Sequence, residues 1–258
     1  MAYEAARTSE VAYMDEVRRL FGSYKLITFD RLELQPGHRI LDVGCGPGDD
    51  TRTIAERVQP GGEVVGVDND DEMIEPARLR SLEGNELVSF VLADTYALPF
   101  ENTSFDGCRA DRLLQHLDEP DRAVAEFYRV LKPGGRCVVS DIDFGTLTVA
   151  TAYPALTRMI VNCGCDLHRN GWAGRGLYGQ FRSAGFADVE CETFVSHSTE
   201  WGIAGWAFGL EHYAKQAVVR HLISESERET WLADLRKRDE AGTFFSSIMG
   251  GIVWGHRP

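Results

Sequence analysis

The chain has no uninterrupted apolar run of the roughly 18 residues that a membrane-crossing helix requires, so no segment is expected to span a bilayer. Its first ten residues, MAYEAARTSE, lack a basic stretch followed by an apolar core and are not expected to act as a signal peptide. Positive charge is scarce: 27 Lys and Arg stand against 40 Asp and Glu, a net charge of −13. Such a surface repels phosphate backbones, which argues against a nucleic-acid partner. Leu235-Arg236-Lys237-Arg238 is a local basic exception, set among acids, and reads as a solvated helix face. The 6 cysteines (Cys45, Cys108, Cys137, Cys163, Cys165 and Cys191) are scattered and form no CxxC pair. Cys163-Gly164-Cys165 is the one cluster, without further ligands at zinc spacing, so no metal is expected. Reduced thiols and a cytoplasmic location are the simpler expectation. Internal repeats and low-complexity stretches are lacking too.

What is present is an apolar strand running into closely spaced glycines. In Ile40-Leu41-Asp42-Val43-Gly44-Cys45-Gly46-Pro47-Gly48 the glycines fall at alternate positions, and a helix-like segment follows from Thr51 to Val58. Glycines belong where a chain must turn sharply and let a ligand touch bare backbone. A dinucleotide site usually reads G-x-G-x-x-G. Here the third glycine comes one residue early, and Asp42 sits two residues before the first. That pattern suits a ligand with a cationic end and no phosphates better than it suits NAD.

With 258 residues, 43% of them hydrophobic, the chain is long enough for one large domain or a domain with a cap. Residues 10–34 carry Val11, Met14, Val17, Leu20 and Phe21 at helical spacing, and Pro36-Gly37 breaks the chain after them. Strands are expected at 38–43, 63–67, 87–92, 105–110 and 136–142, and helices at 51–58, 71–80 and 120–131. This alternation argues for a doubly wound α/β fold with a mostly parallel sheet. Asp42, Asp68 and Asp94 then lie at or just after strand C-terminal ends, where such sheets bind ligands. Farther on, 176–186 reads as helix, 187–193 and 249–257 as strands. The stretches 144–175 and 197–246 read as belonging to no sheet.

Four segments in order carry a family resemblance. The glycine run resembles the first motif of class I S-adenosylmethionine-dependent methyltransferases, D-x-G-C-G-x-G. Val64-Val65-Gly66-Val67-Asp68 resembles their second strand. Leu92-Ala93-Asp94-Thr95-Tyr96-Ala97-Leu98-Pro99-Phe100 and Arg129-Val130-Leu131-Lys132-Pro133-Gly134-Gly135-Arg136 resemble the segments before and after their fourth strand. The resemblance covers residues 36–145 and is closest to small-molecule enzymes of the ubiquinone and menaquinone type. The N-P-P-[YF] run of amino methyltransferases is missing, and Arg109 to Leu114 stands in its place.

The resemblance implies a Rossmann-like, seven-stranded, mostly parallel sheet whose seventh strand is antiparallel. It implies a methyltransferase domain over 36–258, with cap insertions at about 144–175 and 197–246 and an N-terminal helical cap segment over 1–35. It implies S-adenosylmethionine as cofactor. Gly44, Cys45, Gly46 and Gly48 would admit its amino-acid part, and Asp42 would face the ammonium, or instead bond loop amides. Asp68 would hold the ribose diol; it follows Gly48 by 68 − 48 = 20 residues, close to the ribose-carboxylate spacing of a βαβ unit. Asp94 would meet the adenine amine, or cap a turn. Asn69, Ala93 and Thr95 are neighbouring contacts. Arg109 and Arg112 are further candidates, Arg112 for the methionine carboxylate or for pairing with Asp111 or Asp118.

His116 is the one candidate general base, with pocket contact and loop ordering as its other readings. Trp172, Arg175, Tyr178 and His197 are the candidate acceptor contacts, with His168, Trp201, Glu211 and His212 in the same helical stretches. Aromatics at such spacing also serve as core. The expected activity is methyl transfer to an oxygen, carbon or nitrogen of a small apolar or aromatic metabolite, by a monomer or homodimer. The rivals are a protein that binds the cofactor without transfer, as a regulatory partner or a cyclase would, and an NAD-dependent oxidoreductase.

Overall fold

The computed structural model describes residues 22–81 and 87–258. Residues 22–31 are helical (α1). Residues 10–21 of the helix expected over 10–34 lie outside the described residues. The elements that follow are β1 Arg39–Val43, α2 Asp49–Arg57, β2 Glu63–Asp68, α3 Asp71–Ser81, β3 Val88–Leu92, β4 Phe105–Asp111 and α4 Pro120–Val130. After them come β5 Leu131–Val149, α5 Pro154–Cys165, α6 Ala173–Ala184, β6 Ala187–Ser198, α7 Trp201–Ala207, α8 Leu210–Val219, α9 Glu225–Glu240 and β7 Ser246–His256. Among the described residues no helix is long and apolar enough to cross a membrane.

The seven strands form one sheet in the order β3-β2-β1-β4-β5-β7-β6. β1 to β5 pair in parallel. β7 runs the other way. Gly134 N–H donates to Arg257 and Ala150 N–H donates to Phe245, so one strand ascends as its neighbour descends. The expected doubly wound, mostly parallel seven-stranded sheet is thus the fold observed.

By compactness the chain divides into two units. The larger holds Leu26–Asp141, Ala173–Thr193 and Gly251–Pro258. Its strands sort their side chains by parity, as successive strand residues must. Ile40 and Val64 join Ile54, Ala55, Ile74 and Ala77 in one buried cluster, facing α2 and α3. Leu41, Val43, Val65 and Val67 join Val124, Phe127, Leu177 and Phe181 in the other, facing α4 and α6. Near-continuous Val/Ile/Leu runs are what a sheet buried on both faces requires.

The smaller unit holds, among the described residues, 22–25, 142–172 and 194–250. Here α5, α7, α8 and α9 pack around Trp231, which is fully buried and donates its indole N–H to Thr157 Oγ1 at 2.8 Å. The Tyr213 ring lies on α5 at Gly164, where a Cβ would come within 2.2 Å of it. Ser224 and Glu227 close a reciprocal capping box at the start of α9.

Several boundaries differ from expectation. The stretches 144–175 and 197–246 do not lie wholly off the sheet, because β5 runs on to Val149 and β6 to Ser198. Asp141, Asp143 and Gly145 interrupt the apolar pattern of β5. Its ladder nevertheless continues toward β7, with the Ala150 N–H donating to the Phe245 carbonyl just past its end. β7 begins at Ser246 and α6 at Ala173, each three residues earlier than expected. β4 ends at Asp111, so Arg109 is a strand residue, not part of the following loop.

Candidate functional site

Parallel register brings the C-terminal ends of four strands to one edge. Val43 pairs with Val67 and Ala110, Asp68 with Leu92, and Asp111 with Ser140. The chain therefore leaves the sheet side by side at Gly44, Asn69, Ala93 and Arg112. The glycine loop is anchored to the neighbouring strand, with Gly44 N–H 2.7 Å and Cys45 N–H 3.0 Å from the Val67 carbonyl. Gly46 then takes φ +50 with its Cα open to space: a Cβ there would meet nothing within 4 Å. Gly48 differs. It has φ +80, and a Cβ would strike the Phe90 ring at 2.4 Å, so that glycine serves packing.

Asp68, half-buried at the end of β2, accepts Gly46 N–H on Oδ2 at 2.9 Å and Asp70 N–H on Oδ1 at 3.1 Å. A carboxylate has about four lone-pair sites, so these two bonds orient it while leaving capacity for a diol. The Asp68 carbonyl also accepts Ala93 N–H at 2.9 Å, tying the third loop to the second. Asp94 is exposed, and its Oδ1 accepts Tyr96 N–H at 2.8 Å. The turn-cap arrangement therefore exists, on one of its two oxygens. Asn69 is exposed and Ala93 partly buried. The buried Thr95 hydroxyl finds no hydrogen-bond partner among the described residues.

Asp42 has a different setting. It is 1% exposed and accepts the Thr51 hydroxyl at 2.7 Å and Arg109 Nη1 at 3.1 Å. Burial pushes its carboxyl above the ordinary range, while Arg109 pulls the other way. Arg109 is itself 1% exposed. Its Nε donates to Thr28 Oγ1 at 3.0 Å, Nη2 reaches Asp50 at 3.0 Å and Asp111 at 3.5 Å, and its guanidinium lies 4.9 Å from the Phe29 ring centre. One guanidinium thus reaches three carboxylates. Cys45 is buried beside the loop; burial, then Asp42 and Asp68, push its thiol far above the ordinary range.

Arg112, at φ 53, donates its backbone N–H to the Ser140 carbonyl at 2.9 Å. His116 closes a short 3₁₀ turn, Leu114–His116, with an exposed ring whose Nε2 is 3.0 Å from Gln115 Nε2. Arg175 and Tyr178 are exposed on α6 in the larger unit. Trp172 and His197 are exposed residues of the smaller one. His168, in the smaller unit, is bound 2.7 Å from the Tyr213 hydroxyl and stacked on Phe144.

Sequence reasoning passed over Thr28, Asp50 and Thr51, which complete the Arg109–Asp42 network. Thr51 and Asp50 were legible only as the polar start of a helix. Their role follows from strand register, which a single sequence does not display. Among the described residues no group of three His, Cys, Asp or Glu is placed to hold a metal ion.

Residues 41–139 match the methyltransferase-domain family. Over 259 aligned residues the chain is 37% identical to an uncharacterized 37.1 kDa protein of transposon TN4556 from Streptomyces fradiae, covering 97% of this chain and 72% of that one. Over 130 residues it is 35% identical to the ubiquinone/menaquinone biosynthesis C-methyltransferase UbiE of Bordetella avium, covering 50% of this chain. It spans about half the length of that relative, 51%. Among solved structures, the YcgJ protein of a Bacillus species superposes with a TM-score of 0.63 at 23% identity, over 90% of this chain and 97% of that one.

Proposed function

From the premise that this chain belongs to the class I S-adenosylmethionine-dependent methyltransferases, we propose that it binds S-adenosylmethionine at the glycine-loop edge and methylates a small, apolar or aromatic metabolite. One observation carries the reading. The Asp68 carboxylate, bonded to the Gly46 amide at 2.9 Å, stands between an open glycine cradle and the Asp94 loop on a single sheet edge.

The residues fit the cofactor on three counts. Gly46 leaves room for a ligand against bare backbone. Asp68 retains acceptor capacity for a ribose diol. The Thr95 hydroxyl, buried without a partner among the described residues, lies in the loop assigned to the adenine. When bound, S-adenosylmethionine supplies a methyl group already activated by a positive sulfur. The chain's own task is therefore alignment and exclusion of water more than proton chemistry. Gly44, Cys45 and Gly46 bring backbone to the amino-acid end, Asp68 with Asn69 fixes the ribose, and Ala93, Asp94 and Thr95 fix the base.

Asp42 and Arg109 act as positioning residues. Their buried pair ties β1 to β4 at the strand ends that lead into the loop. Arg112 belongs to the same edge and is assigned to the methionine carboxylate. Trp172, Arg175, Tyr178 and His197 are assigned to the acceptor. A cytoplasmic location and the absence of a nucleic-acid partner belong to the same reading.

The test is transfer itself. The protein is incubated with methyl-tritiated S-adenosylmethionine and a panel of hydroquinones, phenols and hydroxylated macrocycles, and the label is followed into organic extract. Transfer to one of these classes supports the proposal. Tight cofactor binding with no transfer across the panel would favour the binding-only rival.

A further inference from the structure

Arg129 opens the Arg-Val-Leu-Lys-Pro-Gly-Gly run that carries part of the family resemblance, and it has no part in the donor site as described so far. It stands in the last turn of α4. Its Nε and Nη2 grip Glu126 Oε1 and Oε2 at 2.6 and 2.7 Å. Nη2 also donates to the Leu98 carbonyl at 3.0 Å. Nη1 donates to the Phe100 carbonyl at 2.7 Å and to Asn102 Oδ1 at 2.9 Å. These contacts match the five donors of a guanidinium. Glu126 Oε2 in turn accepts the Leu98 N–H at 2.9 Å, so one ion pair holds both backbone groups of that buried residue.

The pair is built for rigidity. It is a bidentate fork, the geometry in which a charge pair is strongest and most directional. Its side chains are 30% and 18% exposed, so water screens it only in part. The bond from Arg129, helped by the Leu98 amide, holds the Glu126 carboxyl below its ordinary range against the opposing effect of burial.

Leu98 lies four residues after Asp94, and the residues between them form a closed turn. Asp94 Oδ1 accepts the Tyr96 N–H at 2.8 Å, and the Asp94 carbonyl accepts the Ala97 N–H at 3.1 Å. The start of α4 holds the same turn. The Tyr96 hydroxyl accepts the Glu119 N–H at 3.1 Å, and the Arg122 guanidinium lies 4.8 Å from the Tyr96 ring centre. One helix therefore fixes the turn at Tyr96 and its exit at Leu98. We infer that Glu126 and Arg129 are positioning residues for the adenine end of the cofactor, setting the place of the Asp94 carboxylate through Leu98 and the turn before it. The inference rests on the proposed assignment of Asp94 to the adenine amine. A shift of about 1 Å in such a group is costly.

S-adenosylhomocysteine and S-inosylhomocysteine differ at the amine that Asp94 would meet, which the second replaces by an oxo group. Each is titrated calorimetrically into the full-length chain and its variants. The ratio of the two affinities is the readout, because a partly unfolded variant weakens both ligands alike. The parent should prefer the adenine compound by about tenfold or more, the scale of a hydrogen bond to a charged group. Arg129→Met should cut that preference to about threefold or less. Glu126→Gln keeps an acceptor for the Leu98 N–H and loses the charged fork, so its preference should fall between the two. A preference in Arg129→Met equal to the parent's would overturn the inference and leave the Asp94 assignment standing. A parent that binds both compounds equally, or neither, would overturn the assignment and the inference with it.

Discussion

Asp42 and Arg109 are direct partners across β1 and β4, and their side chains meet 3.1 Å apart with each 1% exposed. Both lie on the sheet face that carries Ile40, and they link the strand beneath the glycine loop to the strand beneath Arg112. The sequence suggested a ligand carboxylate at Asp42. Its position makes it first a buried ion-pair member.

Arg109→Met should therefore be costly. It removes the cation that compensates Asp42, and breaking a buried pair from one side costs about 3–5 kcal/mol. The double variant Arg109→Met, Asp42→Asn should recover a large part of that loss. Chemical denaturation of the two singles and the double measures the coupling directly. Additive effects would mean that the pair contributes nothing as a unit.

The open Cα of Gly46 predicts a separation of binding from folding. Gly46→Val should abolish cofactor binding through the lost approach path and the strained φ of +50. The far-ultraviolet circular dichroism should remain native. Normal binding by this variant would show that the loop does not meet the ligand.

Much of the larger unit was legible in the sequence because its signals are local. Val64 to Val67 is apolar without interruption, as a strand covered on both faces must be, and the glycines of 44–48 mark a turn by their spacing. Asp68 and Asp94 could be singled out as candidates because carboxylates stand at strand ends there. The Arg109 network was not legible, because it joins Thr28, Asp42, Asp50 and Asp111 across a register that only the folded sheet supplies. The C-terminal half of β5 was missed for a related reason. Thr146, Thr148 and Val149 are strand-prone, but Asp143 and Gly145 among them look like a terminus until β7 is seen to pair with them.

Acid sensitivity should arise in part at Asp106. Its partial burial raises its pKa, but Lys132 at 2.7 Å and the Arg39 amide at 2.9 Å outweigh that and hold the carboxyl below its ordinary value. A carboxylate depressed in the folded state stabilises the fold above its unfolded pKa, near 3.9, and loses that contribution as pH falls through the folded value. Asp106→Asn should cost about 1 kcal/mol at neutral pH. The difference from the parent should shrink and vanish as pH falls through the folded value. Urea melts across that range read both. A gap that stays constant with pH would assign the effect to packing.

His116 tests whether proton removal is part of the reaction. Its ring is exposed, and Nε2 lies 3.0 Å from the Gln115 side-chain amide, while an already activated methyl donor asks for geometry more than for a base. His116→Ala should lower kcat less than about tenfold and leave the alkaline and acidic limbs of the rate profile in place. A fall of roughly 10²- to 10⁴-fold, with one limb lost, would make it the general base.

The central claim is that Asp68 and the glycine loop form the seat of S-adenosylmethionine. Calorimetric titration of the parent chain and of Asp68→Ala tests it most directly. We predict one site per chain for S-adenosylmethionine and for its demethylated product, with no competition from NAD. We predict a loss of about 1.5–3 kcal/mol in the variant, the scale of a charge-assisted hydrogen-bonded pair. Unchanged affinity in Asp68→Ala, or displacement of the cofactor by NAD, would contradict it.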